Sequence, residues 1–175
     1  YLWSNGETTE DLNNIPAGTY TVVVEDENEC PISIDVEITE SGVMTISETH
    51  SNYNGFGVSC NGESDGSIDI TVEGGTGIYT YLWSNGETTE DLNDIPAGTY
   101  TVVVEDENGC SIETSIEITQ TDEMEIFETY FDYTGYGVSC NGESDGSIDI
   151  TVEGGSGTYT YLWSNGETTE DLNNI

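Results

Sequence analysis

Basic side chains are almost missing from this sequence: its 175 residues include no lysine, no arginine and a single histidine, His50, against 36 aspartates and glutamates. The formal net charge is −36 at pH 7, so an ion pair between side chains is possible only at His50. A surface of this sign repels phosphate backbones and anionic headgroups, which argues against nucleic acid and membranes as partners. Two explanations of the acidity stay open, namely solubility at a crowded cell surface and the binding of divalent cations.

Long apolar runs and helical periodicity are also missing. No stretch approaches the roughly 20 apolar residues that a membrane-spanning helix needs, so direct membrane insertion is not expected. No stretch repeats its apolar residues at the spacing of one helix face. Hydrophobic residues make up 34% of the chain, which is enough for a thin core in a small domain built from strands.

The sequence does contain an internal repeat. Tyr1, Tyr81 and Tyr161 each begin the run YLWSNGETTEDLN, and Gly57 and Gly137 each begin the run GVSCNGESDGSIDITVEGG. Both runs recur every 80 residues. Self-similarity at a fixed period indicates a tandem array of modules.

The period predicts three divisions of the chain. Residues 41–120 form a complete module, residues 1–40 are the C-terminal part of one repeat, and residues 121–175 are the N-terminal part of the next. We therefore expect the chain to be a segment of a longer protein.

Alternating apolar and polar residues predict the strands. The alternation is clearest from Ser67 to Glu73, where it has the period of a half-buried strand. The pair Asn85-Gly86 is typical of a hairpin turn, so we expect residues 88–92 to pair back across it with the strand 79–83. About seven short strands per module, with turns at regular spacing, predict a two-sheet antiparallel sandwich.

Two aromatic residues make the fold prediction more specific. Trp83 falls on the third strand of the module, and Tyr100 closely follows the turn Pro96-Ala97-Gly98. Immunoglobulin-like sandwiches carry a core tryptophan and a tyrosine corner at these places. We therefore expect an all-β fold of tandem immunoglobulin-like antiparallel β-sandwich modules. The usual disulfide between the two sheets is not expected, because apolar residues occupy the facing positions, Ile68, Ile70, Val102 and Val104.

The four cysteines recur at two fixed places in the repeat. Cys60 and Cys140 follow the letters GVS, and Cys30 and Cys110 follow the EDEN turn. This placement in a small strand-rich module favours disulfides in an oxidising exterior. Zinc is not expected, because two cysteines per module and one histidine cannot complete a tetrahedral site. Pairing within a module and pairing between modules both stay open, since an immunoglobulin-like path places the two cysteines of a module at opposite ends.

Two acidic turns are candidate calcium sites. Ca²⁺ takes about six to eight oxygen ligands, mostly carboxylates and carbonyls. Ordinary turn chemistry explains the same residues equally well, so both interpretations stay open. If calcium binds, we expect it to stiffen the array by relieving charge repulsion where modules meet. The candidate ligands are Glu63 and Asp65 in one turn and Glu105, Asp106 and Asn108 in the other.

One stretch varies between copies yet stays rich in aromatic residues. Residues 48–57, ETHSNYNGFG, become ETYFDYTGYG at residues 128–137. Stacked modules bury surface against their neighbours, so we expect these side chains to contact the adjacent module in preference to a ligand. They are Tyr53, Phe56, Tyr130, Phe131, Tyr133 and Tyr136.

A catalytic site is not expected in this chain. His50 is replaced by Tyr130 in the next copy, so no histidine recurs as a general base. Paired carboxylates arise by chance in so acidic a chain and do not by themselves indicate acid–base catalysis.

The repeated runs resemble a known family. The run SCNGESDGSIDITVEGGTGIYTYLWSNGETT, followed by IPAGTYTVVVEDENGC, looks like the SprB-type repeat of giant cell-surface proteins in gliding Bacteroidetes. The resemblance covers the whole period. It implies a protein secreted by the type IX route to the outer surface of a Gram-negative cell, where long tandem arrays act as adhesins or fibres in gliding motility.

Two functions from different classes follow from these features. The first is a structural stalk or filament, in which neighbouring repeats, and other copies in a fibre, are the partners of each module. A surface or glycan would then be bound by regions outside this segment. The second is a binding module that recognises the glycan or surface itself. Near-identity of the copies favours the stalk, because a stalk needs only length.

Overall fold

The computed structural model describes all 175 residues and contains only strands, turns and loops. Its strands form four three-stranded sheets, and every strand pairing is antiparallel. This confirms the all-β fold that the alternating pattern predicts. The structure has no helix of the length and apolarity needed to span a membrane.

The strands fall into three groups that follow the period of the sequence. Residues 1–40 contain β1 (Leu2–Trp3), β2 (Gly18–Glu25) and β3 (Pro31–Ile38). Residues 41–120 contain β4 (Gly42–His50), β5 (Gly66–Gly75), β6 (Thr80–Trp83), β7 (Leu92–Ile95), β8 (Gly98–Glu105) and β9 (Ser111–Ile118). Residues 121–175 contain β10 (Glu125–Tyr130), β11 (Ser147–Glu153) and β12 (Leu172–Asn173). No sheet contains strands from two groups.

The middle group is a sandwich of two sheets. One sheet has the order β4-β5-β7 and the other the order β6-β8-β9. In the strand lettering of immunoglobulin-like folds these are the orders A-B-E and C-F-G. The inner faces of both sheets contribute to one core of 12 buried residues. The module therefore has six strands, one fewer than the sequence pattern predicts.

The two diagnostic aromatic residues lie where the sequence predicts them. Trp83 is only 2% exposed, and its indole N–H donates a hydrogen bond of 2.8 Å to the carbonyl oxygen of Thr89. The Tyr100 hydroxyl donates a hydrogen bond of 2.9 Å to the carbonyl oxygen of Pro96, which is the tyrosine corner. Apolar side chains fill the facing positions of the two sheets, as expected: Ile68, Ile70, Val102 and Val104 are all buried.

The expected hairpin between residues 79–83 and 88–92 is wrong. Trp83 pairs instead with Val102 of β8, and Leu92 of β7 pairs with Ile68 of β5 in the opposite sheet. Residues 84–91 are polar and offer no apolar face to pair against Trp83. The chain crosses between the sheets here because the crossing buries Leu92 and Ile95 in the core.

Each flanking group holds only one of the two sheets. Strands β1 to β3 occupy the repeat positions of β6, β8 and β9, and strands β10 to β12 occupy those of β4, β5 and β7. Apolar side chains on these sheets therefore lack the opposite sheet that covers their counterparts in the middle group.

Candidate functional site

The predicted site residues of the complete module lie at its two ends. The Asn61–Gly66 turn ends at the first residue of β5, whereas Asp106 contacts Thr76, just after the last residue of β5. The ten residues of β5 span roughly 30 Å at about 3.3 Å per residue. The structure therefore separates the two candidate calcium turns instead of bringing them together.

Asp106 is a buried carboxylate that ties two loops together. Its Oδ1 accepts hydrogen bonds from the backbone N–H groups of Cys110 at 2.9 Å and Asn108 at 3.0 Å. Its Oδ2 accepts from the backbone N–H and the hydroxyl of Thr76, at 2.9 and 3.1 Å. The N–H of Cys110 is the largest cause of a lowered Asp106 pKa, and the Thr76 donors act in the same direction. Since a carboxylate offers about four lone-pair sites, protein donors already occupy those of Asp106.

The other candidate calcium ligands are dispersed. Asp65 accepts a hydrogen bond of 3.0 Å from the N–H of Ser59, and hydrogen bonding by Ser59 lowers the pKa of Asp65. Glu63, Glu105 and Asn108 are exposed on the surface. The structure contains no group of three or more His, Cys, Asp or Glu residues arranged to hold a metal. Calcium binding stays a prediction.

The four thiols are free and exposed. Cys60 lies beside the Asn61–Gly66 turn, at the start of β5. The backbone N–H of Cys110 donates to Asp106, which lies at the other end of β5. The two cysteines of the module therefore lie at opposite ends of β5. A disulfide needs Cα atoms within about 7 Å of each other, and this separation is incompatible with a bond inside the module. Pairing between modules stays a prediction.

The linker after β9 is held by hydrogen bonds from both of the modules that it joins. On one side, the Asn61 side-chain N–H donates to the carbonyl oxygen of Thr121 at 2.7 Å, and the N–H of Gly62 donates to the side-chain oxygen of Gln120 at 3.0 Å. On the other side, the N–H of Gly155 donates to the carbonyl oxygen of Asp122 at 3.0 Å. Thr121 is only 3% exposed. The linker is therefore a structured part of the junction.

A cavity of about 340 Å³ lies at this junction. Residues from both modules and from the linker line it: Ser59, Cys60, Asn61, Thr121, Asp122, Glu123, Met124, Gly155 and Ser156. Cys60 thus faces the end of the next module that carries Ser156, the repeat counterpart of Thr76. We identify this junction as the candidate functional site, because it decides how the modules are oriented.

Sequence reasoning assigned Asn61 and Gly62 to turn chemistry and missed their role at the linker. The only available signal is that Asn61-Gly62 recurs unchanged as Asn141-Gly142. The acceptor Thr121 is 60 residues away from Asn61, so no local pattern connects the two.

The aromatic residues of the variable stretch form small turns. In the complete module Tyr53 and Phe56 exchange backbone hydrogen bonds of 2.7 and 3.2 Å, and the Tyr53 hydroxyl donates to the carbonyl oxygen of Asp65 at 3.3 Å. Tyr133 and Tyr136 occupy the same positions in the following repeat, where the N–H of Tyr133 donates to Tyr136 at 2.7 Å. The turn therefore keeps this backbone hydrogen bond in both repeats, while the flanking side chains change.

The remaining aromatic residues of this stretch are exposed. Tyr130 is 66% exposed and Phe131 is 56% exposed, and the Phe131 ring meets the Tyr133 ring edge-on with centroids 4.5 Å apart. The predicted contact of these side chains with an adjacent module stays a prediction.

Comparison with protein families identifies the repeated stretch. The family model described as SprB repeat matches residues 58–88 and 138–168. The matched residues include Asn61 and Gly62 of the junction and the core residue Trp83. Comparisons with curated proteins and with solved structures found no match. The chain therefore carries two SprB repeats, a type of repeat that belongs to cell-surface proteins, which confirms the resemblance in its sequence motifs.

Proposed function

We propose that this chain is a stiff stalk segment of a secreted cell-surface adhesin, without catalytic activity. The observation that carries the proposal is the structured linker, residues 119–124 between β9 and β10, which accepts hydrogen bonds from Asn61 on one side and from Gly155 on the other. Flexible linkers behave as random coils and let the domains that they join reorient. A linker whose carbonyl groups are bound on both sides keeps neighbouring modules in one orientation.

The repeats themselves support a stalk. The complete module has its own core of 12 buried residues, and its buried carboxylate Asp106 is satisfied by donors from the same module. Each module is thus built to fold by itself, and adding modules adds length. A run of near-identical modules needs no other property to hold an adhesive region away from a cell.

The proposed location is the outer surface of a Gram-negative bacterium, reached by the type IX route, with a role in gliding adhesion. The SprB repeats support surface placement. The net charge of −36 supports it as well, because a strongly charged surface keeps tandem modules soluble and prevents them from sticking to one another sideways.

Exposed aromatic residues favour a second candidate function, in which a module itself binds a glycan or another surface. Tyr130 and Phe131 replace His50 and Ser51 of the preceding repeat and are exposed. Aromatic faces are suited to contact with flat apolar surfaces. Variation at these positions would give different repeats different partners.

Small-angle X-ray scattering and glycan-array binding distinguish the two functions. For a protein of three complete modules, a stalk predicts a rod that lengthens by about 35–45 Å per module, given strands of roughly seven residues plus loops. A scattering profile typical of a flexible chain would contradict the stalk. Binding of this chain to a glycan array that is lost in Phe131→Ala would instead support the binding module.

A further inference from the structure

Asn61 and Gly62 are an Asn-Gly pair that two separate requirements hold in place. The N–H of Glu63 donates a hydrogen bond of 3.2 Å to the carbonyl oxygen of Cys60, which closes a tight turn, and Gly62 lies in that turn at a φ of +80°. Such a φ favours glycine, because other residues carry a Cβ. Asn61 provides the side-chain N–H that binds Thr121. The turn and the linker thus require these two residues next to each other.

An Asn-Gly pair is chemically labile, because glycine has no side chain to shield its nitrogen from the neighbouring amide. In the reaction, the backbone nitrogen of Gly62 loses its proton and bonds to Cγ of Asn61. The bond from Cγ to Nδ2 breaks, and the amide nitrogen leaves with that proton as ammonia. Water then opens the resulting imide ring to aspartate or isoaspartate. The net change replaces a neutral amide with a carboxylate.

The docked linker engages both reacting groups of this pair. The N–H of Gly62 donates to the side-chain oxygen of Gln120 at 3.0 Å, so the attacking nitrogen keeps its proton. The Asn61 side-chain N–H donates to the carbonyl oxygen of Thr121 at 2.7 Å, so the amide is held towards the linker. The linker therefore has to leave before the attack, and the reaction rate follows the fraction of time for which this region is open.

The deamidated side chain is unable to bind the linker as Asn61 does. A carboxylate has no N–H donor, so the hydrogen bond to the Thr121 carbonyl oxygen is lost and two oxygen atoms face each other. Asp122 and Glu123 line the same cavity as Asn61, and the chain has no lysine or arginine to neutralise a further negative charge. Like charges at close range repel each other. Deamidation therefore replaces an attachment with a repulsion.

We propose that Asn61 is a site of spontaneous deamidation at which a junction is released irreversibly, and that the docked linker delays the reaction. A junction that has opened often enough to react then stays open. The effect on stiffness rests on the stalk function proposed above, whereas the chemistry at Asn61 is independent of it.

Peptide mapping of the 175-residue chain during incubation at mildly alkaline pH tests the protection by the linker. Chymotrypsin releases residues 57–79, in which Asn61 is the only asparagine, so conversion of an amide to an acid in that peptide reports on Asn61 alone. We expect Gln120→Ala to accelerate the conversion about fivefold, the factor that corresponds to one hydrogen bond. Gln120→Glu keeps an oxygen acceptor for the Gly62 N–H and should retain most of the protection.

Asn141 is the internal reference for this experiment, because residues 137–155 are identical to residues 57–75. Its conversion is followed in the peptide of residues 137–159, where it is the only asparagine. The rate at Asn141 should be the same in the unmodified chain and in both variants. A rate at Asn61 that Gln120→Ala leaves unchanged would overturn the protective role of the linker.

A second measurement follows the release itself, as cleavage after Glu123 by a glutamate-specific protease. Asn61→Asp carries the deamidated side chain, whereas Asn61→Ala loses the hydrogen bond without gaining a charge. We expect Asn61→Asp to be cleaved faster than Asn61→Ala at low ionic strength, and salt that screens the added charge should bring the two rates together. Cleavage of Asn61→Asp at the rate of the unmodified chain would overturn the release. A flexible scattering profile of the unmodified modules would instead contradict the stalk.

Discussion

The Asn61 side chain donates a hydrogen bond of 2.7 Å to the backbone carbonyl oxygen of Thr121 and so attaches the linker to the module that precedes it. The acceptor is a backbone atom, and Thr121 itself is buried. The direction in which the chain leaves one module and enters the next is therefore set by the fold of the first. This relationship links a recurrent turn of the repeat to the shape of the array.

We expect Asn61→Ala to loosen the junction while the module stays folded. The substitution removes one hydrogen bond, worth about 1 kcal/mol, from an exposed side chain and leaves no cavity. A glutamate-specific protease should then cut after Glu123 faster, as followed by mass spectrometry. Asn141→Ala is the matched control, because Asn141 has the same repeat position without this bond. Equal cleavage of both variants would show that the bond does not restrain the linker.

We expect Trp83→Ala to be strongly destabilising, because Trp83 is 2% exposed and central to the core. Large-to-small changes of this kind cost about 3–5 kcal/mol, a large share of the stability of a small domain. Hydrogen exchange of the Val102 and Val104 amides reports on this module alone. Trp3→Ala, the same change in the N-terminal partial module, should leave that exchange unchanged, and a similar effect of both variants would contradict a self-contained core.

We expect Asp106→Asn to lower the melting temperature at neutral pH. The side-chain N–H₂ of asparagine is itself a donor, and it would face N–H and O–H groups whose hydrogen bonds the carboxylate now accepts. Because the pKa of Asp106 is lowered below its ordinary value of 3.8, the ionised carboxylate stabilises the fold above that value. This stabilisation is lost as the pH falls through the folded-state pKa. The difference in melting temperature between the two proteins should be constant above about pH 5 and shrink below it.

Asp69→Asn, a change at an exposed carboxylate of β5, is the control for that experiment. It should show no such pH-dependent difference. Protonation of other carboxylates relieves repulsion in every variant alike, so only the comparison with Asp106→Asn isolates the buried group. A constant difference across the whole range would contradict the assigned role of Asp106.

We expect disulfides to form between adjacent modules of a longer tandem array. Thr76 and Cys110 both bind the Asp106 carboxylate, and Ser156, the counterpart of Thr76, lines the same cavity as Cys60. In a longer array, the cysteine at the repeat position of Cys110 in the following module would therefore lie close to Cys60. Oxidised glutathione accepts the two electrons as the two thiols lose their protons and form the S–S bond.

A protein of three complete modules is suited to test this arrangement. Chymotryptic peptide mapping separates the possibilities, because the Cys60 and Cys140 peptides differ in sequence before Tyr79 and Tyr159. We expect the cysteine at the repeat position of Cys60 in each module to be cross-linked with the cysteine at the repeat position of Cys110 in the following module. A cross-link of Cys60 with Cys110 inside one module would contradict this arrangement.

We expect calcium to act on the junction and leave the module core unaffected. The net charge of −36 crowds like charges where modules meet, and two carboxylates about 4 Å apart repel by roughly 4 kcal/mol near a protein surface. A divalent cation would reduce this repulsion and slow cleavage after Glu123. The measurement compares Ca²⁺ with a chelator at matched ionic strength, and identical cleavage, melting and calorimetric titration would exclude a calcium role.

Much of the fold follows from the sequence because its determinants are local. Alternation over a few residues placed β5, β8 and β9, and the turn before Tyr100 identified the tyrosine corner, whose hydrogen bond spans only four residues. The period of 80 residues predicted the module, because near-identical runs fold alike. The motifs of these runs also indicated the SprB repeat.

Contacts between distant residues were decided by the tertiary structure. Leu92 pairs with Ile68 of the opposite sheet because burying it in the core outweighs the local turn preference of Asn85-Gly86. The bond from Asn61 to Thr121 forms because the sandwich brings the start of β5 next to the end of β9, and no local pattern encodes that proximity. Composition and periodicity thus determined the fold class and the length of each module, whereas the packing of its two sheets decided how the module is attached to the linker that follows it.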